Sequence, residues 1–277
     1  MKKFLPVVIA LLFTTFAFAQ KREKIKGSKT VTVTQKEIQG FENLEVEDNL
    51  EVFLVKGDTQ ALEIEADDNL HEAVMAEVNG NTLRIYTSKE ITGAKKLSVR
   101  VIYTDNLKTI TAKHETVLNA LTDLEVPSIL IKTQDFSKCF LNVKAGSFTL
   151  QMNDKTKGEL NLKAENAVIE LSKNAELKAL IASPALKFDM YQKTKAVIEG
   201  DAAAVQLRLD NNASFTGKKF TAKTMELTAE GYTTCNVMVT DLVTISASGK
   251  SEVELFGKPK VAVTNFADSA IIYKKEQ

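Results

Sequence analysis

From residue 108 onward one apolar pattern returns at a nearly fixed interval, and this repeat limits the possible folds more than any other feature. It reads Ile110-x-Ala112, Ile129-x-Ile131, Phe148-x-Leu150-x-Met152, Ala167-x-Ile169-x-Leu171 and Leu186-x-Phe188-x-Met190. It continues as Val205-x-Leu207-x-Leu209, Met225-x-Leu227-x-Ala229, Val243-x-Ile245-x-Ala247 and Val261-x-Val263. The steps from Ile110 to Val205 are 19 residues each, and the next three are 20, 18 and 18. A second pattern follows the first within each unit: a small residue, then an alternating apolar run. Ser137-x-Cys139-x-Leu141-x-Val143, Thr156-x-Gly158-x-Leu160-x-Leu162 and Thr233-x-Cys235-x-Val237-x-Val239 are examples.

Alternation with period two places one side-chain set on each face of a strand. Two such strands joined by polar turns make one coil, which cannot bury its apolar face alone. Stacked coils bury a continuous core and pair their backbones. The sequence therefore predicts an all-β fold. Residues 108–275 form a single-stranded parallel β-solenoid, or β-helix, of about nine coils with an 18–20 residue period. Parallel crossovers are right-handed by default. A β-sandwich is the alternative, but its antiparallel hairpins have no reason to hold one period over nine units. Turn segments such as Asn153-Asp154-Lys155 and Asp210-Asn211-Asn212 carry residues that tolerate unusual backbone angles. Cys139 and Cys235 fall in one column five coils apart, or roughly 24 Å at about 4.8 Å per coil. A disulfide needs Cα atoms within about 7 Å, so both cysteines are expected free, buried and inert.

Residues 30–107 read as a β-rich capping region. Strand-like runs cover 30–34, 44–46, 50–55 and 61–66, with Lys56-Gly57-Asp58-Thr59 as a hairpin turn between the last two. Leu70, Val74 and Val78 fall four apart behind Asp68 and Asn69, which predicts one short helix over 68–78. A cap is needed because an open strand edge invites aggregation. At the far end Lys274-Lys275-Glu276 sets charge beside the last strand. Residues 20–29 are lysine-rich and read as a flexible lead-in. Before them, Lys2 and Lys3, an apolar stretch from Phe4 to Phe18 and the small-x-small end Ala17-Phe18-Ala19 have the layout of a signal peptide over 1–19. The expectation is an exported protein of the periplasm, outer surface or medium, with no transmembrane segment in the mature chain.

Phe41-Glu42-Asn43-Leu44-Glu45-Val46, then Leu50 to Asp58, Asp68-Asn69-Leu70 and Val78 to Ile85 together resemble the start of the head GIN domain family, labelled putative auto-transporter adhesins. The resemblance spans roughly residues 38–260. It implies a β-solenoid found in secreted and envelope proteins of Bacteroidetes-like bacteria. Where members often carry Gly-Ser-Gly after the first solenoid strand, this chain reads Lys113-His114-Glu115-Thr116.

Residues that could carry chemistry are few. The two histidines, His71 and His114, lack a Cys or second His at metal spacing. Asp67-Asp68 is the only adjacent Asp pair and suits a helix N-terminus. Asp135, Asp154 and Asp210 fall near one turn column that could offer oxygen ligands to Ca²⁺, interrupted by Asn174, Gln192 and Gly249. Gly57, Gly80 and Gly93 are isolated turn glycines, and Trp is absent. Outward positions such as Lys132, Gln151, Glu170, Asp189, Arg208 and Glu226 are polar. There are 36 basic and 36 acidic residues, so losing Lys2 and Lys3 leaves a mature charge of −2, without the basic excess of a nucleic-acid binder. No catalytic, cofactor or metal residue is assigned.

The expected function is a non-enzymatic binding or structural module of the cell envelope, adhesin-like, acting through flat solenoid faces on a protein or glycan partner. Two alternatives are a carbohydrate-active enzyme, a polysaccharide lyase or hydrolase on a β-helix, and a periplasmic envelope-signalling accessory.

Overall fold

The computed structural model describes residues 22–276, so the signal peptide expected over 1–19 lies outside the described residues. The chain winds into a parallel β-solenoid of about nine turns. Long strands run from Val117–Thr133 through Lys138–Met152, Lys157–Leu171, Glu176–Tyr191, Lys195–Asp210 and Ser214–Ala229 to Thr234–Ala247, each parallel to the next. Each long strand contains both apolar runs of a unit. In Lys157–Leu171 the buried positions are 158, 160, 162 and 164, then 167, 169 and 171. Glu165 and Asn166 both face outward, so the alternation skips one beat and the strand bends; pairing lapses at the bend and resumes in the same register at Asn166.

A four-residue corner closes each coil. Its middle two residues are left-handed: Asp135 and Phe136, Asp154 and Lys155, Lys173 and Asn174, Gln192 and Lys193, Asn211 and Asn212 all have positive φ. That conformation costs about 1–2 kcal/mol per non-glycine residue. It aims each corner amide at the next coil, and these bonds offset the cost. Phe136 N–H donates to Asp154 O at 3.0 Å, Lys155 N–H to Lys173 O at 3.0 Å, and Lys193 N–H to Asn211 O at 3.1 Å. The last corner residue is small and buried: Thr116, Ser137, Thr156, Ala175, Thr194, Ala213, Thr233 and Ser251. The interior columns hold the large apolar side chains, with Phe188 and Phe215 packed edge to face at 5.6 Å.

Several expectations need correction. Ile110 pairs with Ile131, not with Ile129, so the first step is 21 residues. Val117–Thr133 carries two extra residues between Ala120 and Leu124. An insertion of two keeps every later side chain on its face, so the periodicity does not reveal it. The hairpin at Lys56–Thr59 is absent. Glu51–Lys56 runs parallel to Leu97–Tyr103, and Ala61–Asp67 pairs antiparallel with that strand and with Val31–Lys36, not with Glu51–Lys56. The helix over 68–78 shrinks to a 3-10 turn, Asp68–Ala73, and Val74–Asn79 becomes a strand paired antiparallel with Thr82–Thr87. The β-branched Val74 and Val78 and the Gly80 turn (φ 59°) favour that hairpin. The expected lead-in is tied down from residue 22, since Lys24–Lys26 pairs in parallel with Glu90–Thr92.

Candidate functional site

A groove of about 930 Å³ crosses the coils along the bend of the long strands. Its floor is the column Val126, Ala145, Ala164, Ser183 and Ala202. These residues point inward and are small, so the backbone is drawn in there. The flanking outward positions form the walls. One wall runs through Glu125, Lys144, Lys163, Ala182, Asp201 and Thr221, which share one register column. The other carries Pro127, Gly146, Glu165, Pro184, Ala203 and Lys223. From Glu125 to Thr221 is five coil steps, or about 24 Å.

The two halves of the groove differ electrostatically. Toward the N-terminal end Lys56 Nζ lies 2.7 Å from Asp105 Oδ1, and Lys144 is bonded to Asp123 and, at 3.2 Å, to Glu125. The hydrogen bond to Asp105 raises the pKa of Lys56, and those to Asp123 and Glu125 raise that of Lys144. The backbone at this end is shaped by the two extra residues. The buried Tyr103 hydroxyl donates to Asp123 O at 3.4 Å and accepts from Glu125 N–H at 3.2 Å. Toward the C-terminal half, Lys163, Glu165, Asp201 and Lys223 line the groove without a side-chain ion pair among the described residues.

None of these residues was singled out from the sequence. A signal was there: the middle of each unit carries Ala-Gly, Ala-Glu, Ser-Pro or Ala-Ala at 145–146, 164–165, 183–184 and 202–203, where the columns on either side carry larger residues such as Val143, Leu162, Ile181, Phe148, Leu186 and Val205.

The residues that were weighed land elsewhere. His114 sits at a corner with Nδ1 3.7 Å from Glu47 Oε2 and 3.8 Å from Asp48 Oδ1, and Nε2 3.6 Å from Asp135 Oδ2. Glu47, Asp48 and His114 could converge on one ion. Both carboxylates already have cationic partners. Arg84 donates to Glu47 through Nε at 3.3 Å and Nη2 at 3.2 Å, and Arg22 lies 2.7 Å from Asp48. The cluster therefore reads as an ion-pair network tying three successive corners. His71 Nε2 is 2.8 Å from Thr32 Oγ1. Asp67 does not cap the turn that follows it. Its buried carboxylate accepts backbone N–H groups from Lys29 at 2.9 Å, Lys95 at 3.0 Å and Lys96 at 3.1 Å. The turn column is also revised. Asp210 pairs with Tyr191 inside a strand, and Lys173 occupies the place next to Asp154, with Nζ 3.8 Å from Asp154 Oδ2. A lysine there opposes a cation ladder. No helix among the described residues is long and apolar enough to cross a membrane.

Residues 40–259 match the family described as "Putative auto-transporter adhesin, head GIN domain". Among solved structures, a putative adhesin from Parabacteroides merdae aligns with TM-score 0.69 at 15% identity, over 91% of this chain and 100% of that chain. A putative adhesin from Parabacteroides distasonis aligns with TM-score 0.67 at 16% identity, with the same coverage. A putative lipid binding protein from that species aligns with TM-score 0.65 at 14% identity, again over 91% and 100%. At such identities the likeness is one of fold. No curated protein sequence matches the chain.

Proposed function

The chain belongs to the family of putative auto-transporter adhesins, head GIN domain, and from that premise we propose that it is an exported, non-enzymatic binding module of the bacterial cell envelope. Its groove across the coils holds an extended ligand, and the observation that carries this reading is the groove itself. It runs along the stack for about 24 Å and sets a floor of small residues, Ala145, Ala164, Ser183 and Ala202, between walls that carry Lys163, Glu165, Asp201 and Lys223. A regular solenoid offers long, rigid surfaces suited to extended partners. Binding then rests on shape and on the free charges at Lys163 and Lys223, and needs no moving lid.

A flexible polymer strand from the envelope, protein or glycan, suits the walls. A second reading is favoured by the apolar floor: an acyl chain laid along the alanine column with its anionic head at Lys163 or Lys223. One fold neighbour is described as a putative lipid binding protein. The test is one binding screen with two arms, immobilised envelope polysaccharides and peptides in one and anionic lipid vesicles in the other. Ala182 and Ala203 face outward into the groove, so the double variant Ala182→Arg, Ala203→Arg fills it without touching the core. At least a tenfold loss of affinity in that variant is expected for whichever ligand binds. Equal binding by both proteins would place the activity on another face.

A further inference from the structure

The two ends of the solenoid are finished differently. At the N-terminal end the 3-10 turn Asp68–Ala73 folds over the core with Leu70 and Ala73 buried, and the strands beyond it run antiparallel to their neighbours. At the C-terminal end Lys260–Phe266 is hydrogen-bonded on one side only, to Thr234–Ala247, and Ile271–Lys274 on one side only, to Glu252–Phe256. Val261 and Val263 continue the interior columns of Val243 and Ile245, which are fully buried, yet they are 49% and 51% exposed. Phe266, below buried Ala247, is 57% exposed. The hydrophobic core is thus open along the solenoid axis, beside a free strand edge.

We infer that this end is an interface between two copies of the chain, joined tail to tail about a two-fold axis, with Lys260–Phe266 pairing antiparallel with its own counterpart. A second copy fits because only another coil end matches both an open core and a free edge. The N-terminal end is roofed, which blocks head-to-tail stacking into a filament and leaves the closed, self-complementary contact. Charge agrees with this register. The strand bulges at Thr264, between Val263 and Asn265, so the pairing that keeps inward residues opposite inward residues is centred on Ala262 and sets Val261 opposite Val263 and Lys260 opposite Thr264. Lys260 is the strand's only charge, so the two lysines fall at opposite ends of the ladder, about 14 Å apart. On the other edge Lys274 occupies an interior column, in register with Leu255, and its Nζ donates to Gly257 O. That inward charge discourages pairing there and confines the ladder to Lys260–Thr264. A coil end about 23 Å long and roughly 20 Å across buries on the order of 500 Å² per copy, about 1,000 Å² in total, the lower bound of a specific interface.

Sedimentation equilibrium of the purified chain from about 1 to 200 μM should show a reversible monomer–dimer equilibrium. Val263→Lys, which sets a charge opposite Val261 inside the joined core, should weaken it at least tenfold. Because that change could also loosen the last coil, Ala262→Cys provides the second reading. Antiparallel pairing brings the two Ala262 Cα atoms within about 5.5 Å, so mild oxidation should give a covalent dimer, while Lys260→Cys should not. A chain that stays monomeric over the whole range overturns the inference. So does a dimer indifferent to Val263→Lys, or one that Lys260→Cys crosslinks as readily as Ala262→Cys.

Discussion

Cys139 and Cys235 stand in one interior column, linked through Gly158, Leu177, Ala196 and Phe215 on the coils between them. Both are buried and unpaired with each other. Burial pushes each thiol up to about 12, so neither forms the thiolate that alkylating reagents attack. In native buffer at pH 8, iodoacetamide should label neither within an hour, and in denaturant it should label both. Mass spectrometry of the intact chain reads the difference directly. Fast labelling of one cysteine in native buffer would show that its coil opens locally.

Asp67 and Gly27 make a second checkable pair. Burial alone would raise the Asp67 carboxyl, but the N–H donors of Lys29, Lys95 and Lys96 outweigh it and hold the pKa below the usual carboxylate range. A carboxylate depressed in the folded state stabilises the fold at every pH above its unfolded pKa. That contribution is lost as pH falls through the folded value. Thermal melts should therefore fall in midpoint below about pH 4, and Asp67→Asn should lower the neutral-pH midpoint while flattening that acid limb. Gly27 lies against the same carboxylate, where an added Cβ would collide with Asp67 Oδ2 and with the Ala94 backbone at 2.8 Å. Gly27→Ala should thus imitate Asp67→Asn. An unchanged acid limb in Asp67→Asn would move the titration to another group.

Tyr103 holds the irregular end of the groove. Its hydroxyl is the partner of Asp123 O and Glu125 N–H, at the place where Val117–Thr133 carries its extra residues. Tyr103→Phe keeps the ring in the core and removes that partner, which should cost about 1–2 kcal/mol. Urea unfolding with an unchanged m value would measure it. Phe188→Ala, in the regular core, should cost more, about 3–5 kcal/mol. If Tyr103→Phe proves neutral, the extra residues are held by the strand pairing alone.

The solenoid was legible because its cause is a local alternation repeated many times, and each copy checks the others. From Ile129 to Val261 the expected register agrees with the pairing at every step. The misreadings fall where no repeat supplies that check. The extra pair before Leu124 is silent because two residues restore parity. In the cap, Ala61–Asp67 and Leu97–Tyr103 pair across an interval that no local pattern announces. The left-handed corners were visible as Asn and Asp, but His114, Glu115, Phe136 and Lys155 adopt the same conformation, held there by bonds between coils that sequence composition does not encode. The groove escaped notice for a different reason. Small residues at 145, 164 and 202 suit a packed core as well as a groove floor, and only the bend of the strands makes their smallness a concavity.

The groove finally separates binding from catalysis. Cleaving a glycosidic bond by hydrolysis needs two carboxyl groups flanking it, and Glu165 and Asp201 are the unpaired carboxylates lining the C-terminal half. For a binding module, Glu165→Gln with Asp201→Asn should leave affinity for a bound polymer within about threefold, worth less than about 0.7 kcal/mol, in the range of an exposed charge contact. Lys163→Ala with Lys223→Ala should weaken an anionic ligand about tenfold and flatten the salt dependence, whereas Lys144→Ala should do little because Asp123 and Glu125 already hold that lysine. Overnight incubation with the bound polymer should release no new reducing ends or unsaturated products. Products that appear with the native chain and vanish in the Glu165→Gln, Asp201→Asn variant would replace the binding reading with a carbohydrate-active enzyme.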